Sequence, residues 1–316
     1  MIGIMIVSVF LSIIVVAVAL TYPRYHREMN AARVRLSEGS QMIQTRSGQI
    51  EYADSGDGYP VLVIHGAGGG YDQGIFLART FLGDNFRWIV PSRFGYLRTP
   101  VSGDGSATAQ ADAYADLLDA LNIQQAVIMG ASDGGPSTLQ FALRYPDRVT
   151  AMVMIAAKSH RPPQETFLQK AVFTTIFHSD YAYWFISTYL RSYLLSMFGL
   201  SPEVQAEFTQ ADREITHAFI RSMHPISLRK AGIYNDRASL SGPSLNEYPL
   251  NNITTPTLVI HAVDDSLQPF SHAEYTAQNV PKARLAKFKS GGHLLMGHFD
   301  DVRSASAAFI HQHVPE

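Results

Sequence analysis

Short apolar runs recur along this chain, each stopped by glycine, proline or a polar pair, and stretches of helical spacing lie between them. Val61-Leu62-Val63-Ile64, Trp88-Ile89-Val90, Val127-Ile128-Met129, Met152-Val153-Met154-Ile155 and Leu258-Val259-Ile260 are continuous rather than alternating. Runs of that length and β-branched content are what strands buried on both faces require. From Ala111 to Leu121 the pattern changes period: Tyr114, Leu117, Leu118 and Leu121 fall on one helical stripe, with Asp112, Asp116 and Asp119 on the wet side. Ser137 to Arg144 continues in the same helical manner. Near the start, Met42–Thr45 and Gln49–Ala53 flank Arg46-Ser47-Gly48, the signature of a hairpin. Strands alternating with helices predict an α/β fold, a mostly parallel, doubly covered sheet. Its later strands are Pro256–His261 and Arg284–Phe288.

Two regions break this alternation. Between Arg161 and about Tyr248 there is no buried strand, only helical segments, and the stretch from Phe167 to Phe198 is dense in aromatic rings, among them Phe173, Trp184 and Phe185. Some of these rings must pack the insertion itself; others can line an apolar pocket or touch a bilayer surface. At the N-terminus, Ile2 to Leu20 is a run of 19 uncharged residues, nearly the length that crosses a hydrocarbon core. A cleaved signal peptide is the rival, with Ala17-Val18-Ala19 as its cleavage-like site, but no basic residue precedes the run. Arg24, Arg27, Arg33 and Arg35 follow it, which favours a single-pass anchor with the C-terminal domain in the cytoplasm. The expected organisation is an anchor over 1–21, a juxtamembrane linker over 22–38, a core over 39–157, a helical insertion after the sixth strand over 158–250, and the rest of the core over 251–316.

Composition narrows the function classes. The 316 residues are 46% hydrophobic, enough for a large core, and the formal net charge of −2 offers no electrostatic footprint for nucleic acid. With no cysteine there is neither a disulfide nor a thiolate metal site. No H-E-x-x-H is present, and the glycine-rich Gly66-Ala67-Gly68-Gly69-Gly70 lacks the lysine of a phosphate loop. No cofactor and no metal is expected. The expected partners are a small, apolar molecule and, through residues 2–20, a membrane.

The chemistry centres on Gly130-Ala131-Ser132-Asp133-Gly134, which ends one buried run and opens a helix. A strand–turn–helix around G-x-S-x-G exposes the serine oxygen on a strained turn, with small residues demanded two positions to either side. Two later runs also end in titratable residues: Asp264-Asp265 after the first, then Gly291-Gly292-His293 and His298 after the second. This order of serine, aspartate and histidine, each beyond a strand, resembles the α/β-hydrolase fold over roughly residues 40 to 314, and the insertion is similar to the helical caps of esterases, carbon–carbon bond hydrolases and aminopeptidase-like members. Pro146-Asp147-Arg148-Val149 also resembles the family, whereas the bare Gly68-Gly69-Gly70 departs from it.

That resemblance implies a serine hydrolase acting on a small or lipophilic ester, lactone, amide or vinylogous ketone. Ser132 is the expected nucleophile, His293 the base with His298 as rival, and Asp265 the acid in preference to Asp264. The backbone N–H groups of Ala67, or Gly68, and Asp133 are the expected oxyanion hole. Two other readings remain open: a catalytically silent binding protein on the same fold, and a dehalogenase-like enzyme with Asp133 as nucleophile. The second lacks the tryptophan such enzymes place where this chain has Gly134.

Overall fold

The computed structural model describes residues 2–160, 174–240, 245 and 247–314, without the side chains of 2–7, 9–11, 13, 14, 239 and 240. Phe167 and Phe173 of the aromatic stretch therefore lie outside the described residues. The chain divides into two compact units, residues 1–39 and 40–316.

The first unit is one helix, α1 (Ile2–Glu38), and it corrects the expectation of a membrane span over residues 2–20. Among the described residues no helix is long and apolar enough to cross a membrane. The single-pass placement, the cytoplasmic side and the membrane partner fall with it. The physical reason is that the uncharged run is not an element of its own. It continues through Pro23 into the basic stretch up to Glu38, so that polar and charged residues make up about a third of a 37-residue helix. Within the apolar part, hydroxyls turn back onto the backbone: Ser12 Oγ donates to the Ser8 carbonyl at 2.9 Å and Thr21 Oγ1 to that of Ala17 at 2.6 Å.

The second unit is built on an eight-stranded sheet. Its strands are β1 (Gln41–Thr45), β2 (Gly48–Ser55), β3 (Tyr59–Ile64), β4 (Phe86–Pro91), β5 (Ala126–Ala131), β6 (Val149–Ile155), β7 (Thr257–Ala262) and β8 (Ala283–Phe288), in the spatial order β1-β2-β4-β3-β5-β6-β7-β8. The expected hairpin forms β1 and β2, closed by Arg46-Ser47 with Thr45 opposite Gly48. Both its strands pair antiparallel; β4, β3, β5, β6, β7 and β8 are mutually parallel. Val61 to Ile64 are wholly inaccessible, as continuous apolar runs demand in a sheet covered on both faces. Helices α2 (Tyr71–Phe81), α3 (Ala107–Ala120) and α4 (Gly135–Arg144) follow β3, β4 and β5. Helix α3 begins four residues before the apolar stripe suggests, because Ser106 caps it by accepting from the Ala109 amide at 3.1 Å. Its aspartates do not simply face water: Asp112 accepts from Arg144, and Asp116 and Asp119 from Arg46.

Strand order reverses at β3, which has β4 on one side and β5 on the other. Such a reversal opens a crevice at the carboxyl ends of the strands. Between β6 and β7 the described chain is helical: α5 (Asp180–Tyr189), α6 (Arg191–Met197), α7 (Pro202–Ala206), α8 (Gln210–Ser222) and α9 (Lys230–Asn235). They bury a cluster of their own, including Tyr183, Leu194, Leu200 and Ile220. Helices α10 (Ser271–Asn279) and α11 (Phe299–His311) complete the chain.

Candidate active site

The register of the central strands brings the site together. Ile64 of β3 pairs with Gly130 of β5, and Ala131 of β5 with Ile155 of β6, so the three strands end flush. The residue after β5 is Ser132, at φ 51°, a left-handed conformation that a non-glycine residue adopts only under local constraint. The glycines around it are dictated by contact. A Cβ on Gly130 would stand 2.2 Å from Thr138 Oγ1, and one on Gly134 2.7 Å from the carbonyl oxygen of His65. On the facing loop, a Cβ on Gly66 would lie 2.9 Å from Ser132 Cβ. The turn, the β3 loop and α4 can close on the serine only without these side chains.

Ser132 Oγ lies 2.9 Å from His293 Nε2, and His293 Nδ1 lies 2.7 Å from Asp265 Oδ2. Asp265 Oδ1 accepts from the amides of Leu267 and Gln268, both at 2.9 Å, so the carboxylate binds the imidazole through Oδ2 and its own loop through Oδ1. A second imidazole, His261 at the end of β7, approaches the same Oδ2 at 3.1 Å and the Gln268 carbonyl at 2.8 Å. Because a carbonyl only accepts, His261 Nε2 carries the proton. Burial alone would raise the Asp265 carboxyl, but the charge of His293 and the hydrogen bonds from His261 and His293 hold it well below the usual carboxylate range. Burial likewise opposes the charged form of His293, and the facing Asp265 carboxylate outweighs it, leaving the imidazole above its ordinary value.

The rival residues sit elsewhere. Asp264 accepts from the amides of Gly291 at 3.2 Å and Gly292 at 2.9 Å, holding the loop that delivers His293. His298 packs on Phe288 at a ring separation of 4.6 Å and points its Nδ1 toward Asp301. The Asp133 carboxylate lies 2.5 Å from Lys158 Nζ and also accepts from Gln268 Nε2 at 3.2 Å. Burial pushes it up, but Lys158 wins and keeps it below its ordinary value. Asp133 thus faces a cation rather than a base. Of the two amides proposed for one oxyanion donor, that of Gly68 donates to Tyr96 Oη at 3.3 Å, whereas Ala67 lines the cavity beside Ser132.

Several residues that hold this site escape a reading of motifs. The β3 loop is clamped by two buried ion pairs, each reaching the helices between β6 and β7. Arg93, after β4, donates from Nη1 and Nη2 to Asp236, which also accepts from Tyr96 Oη at 2.6 Å. Burial lifts the Asp236 carboxyl to about 6 against the pull of Arg93, so the pair is charged at neutral pH. Arg229 donates to Asp72 at 3.1 and 2.9 Å and to the Gly69 carbonyl. The first residue of the loop, His65, accepts the Arg93 amide at Nε2 (2.9 Å) and donates from Nδ1 to the Gly66 carbonyl (2.7 Å). Burial, aided by Arg93, lowers its pKa well below 6.5, so it is a neutral structural imidazole.

A narrow apolar cavity of about 60 Å³ opens at Ser132 and His293. Its walls include Leu77 and Phe81 of α2, Ile155, Leu267, and two rings from the helical layer, Phe198 and Phe219. The expected wall residues Trp184 and Phe185 are not among them; Trp184 is wholly buried within the layer. Phe219 comes from α8, beyond the aromatic-dense stretch. Among the described residues no group of histidines and carboxylates could hold a metal ion.

The fold and this constellation define a class. A model of the alpha/beta hydrolase fold matches residues 59–298, and the chain belongs to that family. A solved alpha/beta hydrolase fold protein from Nakamurella multipartita is 30% identical, with a TM-score of 0.73 over 86% of this chain and 98% of its own. An uncharacterized hydrolase from Bacillus subtilis is 28% identical over 266 residues, 81% of this chain and 92% of that protein. A 2-hydroxymuconate semialdehyde hydrolase from Pseudomonas putida is 27% identical over 254 residues, 76% of this chain and 82% of that protein. This protein is accordingly a hydrolase of the alpha/beta fold family.

Proposed function

We propose that the protein is a serine hydrolase that cleaves a small or lipophilic ester, lactone, amide or vinylogous ketone. The observation that carries the reading is the relay from Ser132 to His293 to Asp265, at 2.9 and 2.7 Å, opening on an apolar cavity. His293 takes the Ser132 proton at Nε2 as Oγ attacks the carbonyl carbon, and Asp265 stabilises the imidazolium. The amides of Ala67 and Asp133 receive the oxyanion, each donor contributing about 3 kcal/mol in the transition state. Collapse of the adduct expels the leaving group, which takes the proton back from His293. Water, deprotonated by the same imidazole, then frees the acid and restores Ser132. The helices between β6 and β7, over the proposed insertion 158–250, serve as a cap that supplies part of the pocket wall. The similarity to the 2-hydroxymuconate semialdehyde hydrolase of Pseudomonas putida supports the vinylogous ketone as one member of the substrate class.

The test is kcat/KM of the full chain over p-nitrophenyl esters from acetate to octanoate, with Ser132→Ala in parallel. The reading expects turnover with an optimum at short acyl groups, abolished in the variant. A folded wild type that binds such esters without turning over any would make it a binding protein.

A further inference from the structure

One buried polar side chain in the cavity takes no part in the relay. Gln73, the third residue of α2, is 1% exposed, and its Nε2 has no hydrogen-bond partner among the described residues. It lines the same cavity as Ser132, Ala67 and His293. The position is built. The start of α2 is fixed by the Tyr71 amide, which donates to Ser92 Oγ at 3.0 Å, and by Arg229 on Asp72. A Cβ on Gly69 would fall 2.4 Å from both Gln73 Oε1 and His65 Nδ1, so the oxygen end of the carboxamide packs against the bare glycine loop. The –NH₂ end is the one left without a partner. The absent side chain at Gly69 is what makes room for the carboxamide.

Buried donors are normally paired, and leaving one unpaired costs stability unless a ligand satisfies it. Apart from Ser132 and His293 the other walls are apolar, and among the described residues no lysine or arginine lines the cavity. A carboxylate would have no counter-charge there; a neutral oxygen acceptor fits. The cavity of about 60 Å³ restricts that acceptor to a short chain close to the scissile carbonyl.

We propose that Gln73 is a specificity residue. It donates from Nε2 to a neutral ether, keto or hydroxyl oxygen one or two atoms from the carbonyl carbon, so that the preferred substrate is a short oxygen-bearing acyl compound rather than a plain fatty acyl ester. The inference rests on the serine hydrolase reading of the same site. It goes beyond it by naming the acyl chemistry.

The experiment compares p-nitrophenyl methoxyacetate with p-nitrophenyl butanoate, which differ by an oxygen in place of one methylene. The quantity read is the ratio of their kcat/KM values in wild type and in Gln73→Leu, which cancels the intrinsic reactivity of each ester. A lost hydrogen bond in a closed site discriminates strongly, and the ratio should fall by about 10- to 100-fold in the variant. Gln73→Leu should lower kcat/KM for methoxyacetate more than for butanoate. Gln73→Met serves as a second variant if Gln73→Leu unfolds early. An unchanged ratio in a folded, active variant overturns the inference while leaving the serine mechanism intact. Failure of wild type to hydrolyse either ester while Ser132→Ala behaves identically would instead remove the reading beneath it. A ratio that falls because methoxyacetate loses more than butanoate supports Gln73 as the oxygen-recognising donor.

Discussion

The carboxyl ends of the strands and the helical layer between β6 and β7 meet at one cavity, yet they are held by different physics. On the strand side, position comes from backbone register and from charged hydrogen bonds. Flush strand ends, a serine at positive φ and an aspartate whose two oxygens serve different partners leave the catalytic atoms little freedom. On the helical side, Phe198 and Phe219 are held by apolar packing, which tolerates exchange of one ring for another group of similar volume. The two meet through Arg93–Asp236 and Arg229–Asp72, where charge rather than packing ties the layer to the β3 loop. The contrast places the proposed chemistry at the strand ends and leaves the limit on acyl-chain length to the layer.

The largest effects should follow from the strand side. Ser132→Ala and His293→Ala should each lower kcat by on the order of 10⁶-fold with the unfolding temperature nearly unchanged, because members of such a relay act as a unit. Retained activity in either would break the division at its base. Asp265→Asn should cost about 10⁴-fold in kcat. It should also move the acid limb of the pH–kcat/KM profile. In wild type, activity should fall as His293 protonates, and Asp265 raises that pKa above its ordinary value. Without the carboxylate the limb should shift to lower pH; a shift upward would assign the limb to another group.

A different signature is expected at the junction. Arg229→Met removes the wholly buried cation of its pair with Asp72. Such a break costs about 3–5 kcal/mol of stability, measurable by chemical unfolding, and should lower kcat through the Gly69 carbonyl that Arg229 holds. The smallest effect belongs to the helical layer. Phe219→Ala should leave kcat for acetate esters within a few-fold while moving the chain-length optimum upward, since each added methylene contributes about 0.8 kcal/mol once it has room. A Phe219→Ala variant that loses acetate turnover as severely as Asp265→Asn would erase the distinction between the two regions.

Much of the strand side was legible before any coordinates. Continuous apolar runs announce buried strands, and the strand–turn–helix around Ser132 names the elbow, because the turn tolerates few residue types. The choice of Asp265 over Asp264 rested on resemblance; the geometry separates them by sending Asp264 to the Gly291 and Gly292 amides. The clamps were not legible. Arg93 and Asp236 are 143 residues apart and Arg229 and Asp72 157, and no local pattern links such partners. Ring density reports how much aromatic area must be buried but not which ring faces which way, so it does not single out Phe219. At the N-terminus the same bias to composition misled. An uncharged run was taken for a complete element, whereas the helix it starts is set by backbone continuity through Pro23 and ends at Glu38.

The central claim, that Ser132 is the activated nucleophile of this site, is tested most directly by mapping where a fluorophosphonate attaches. After brief exposure of the full chain, digestion and mass spectrometry should place the phosphonyl adduct on the peptide containing Ser132. Labelling should be lost in Ser132→Ala and slowed by orders of magnitude in folded His293→Ala. An adduct on another residue, or labelling of Ser132 at the same rate without His293, would contradict the account.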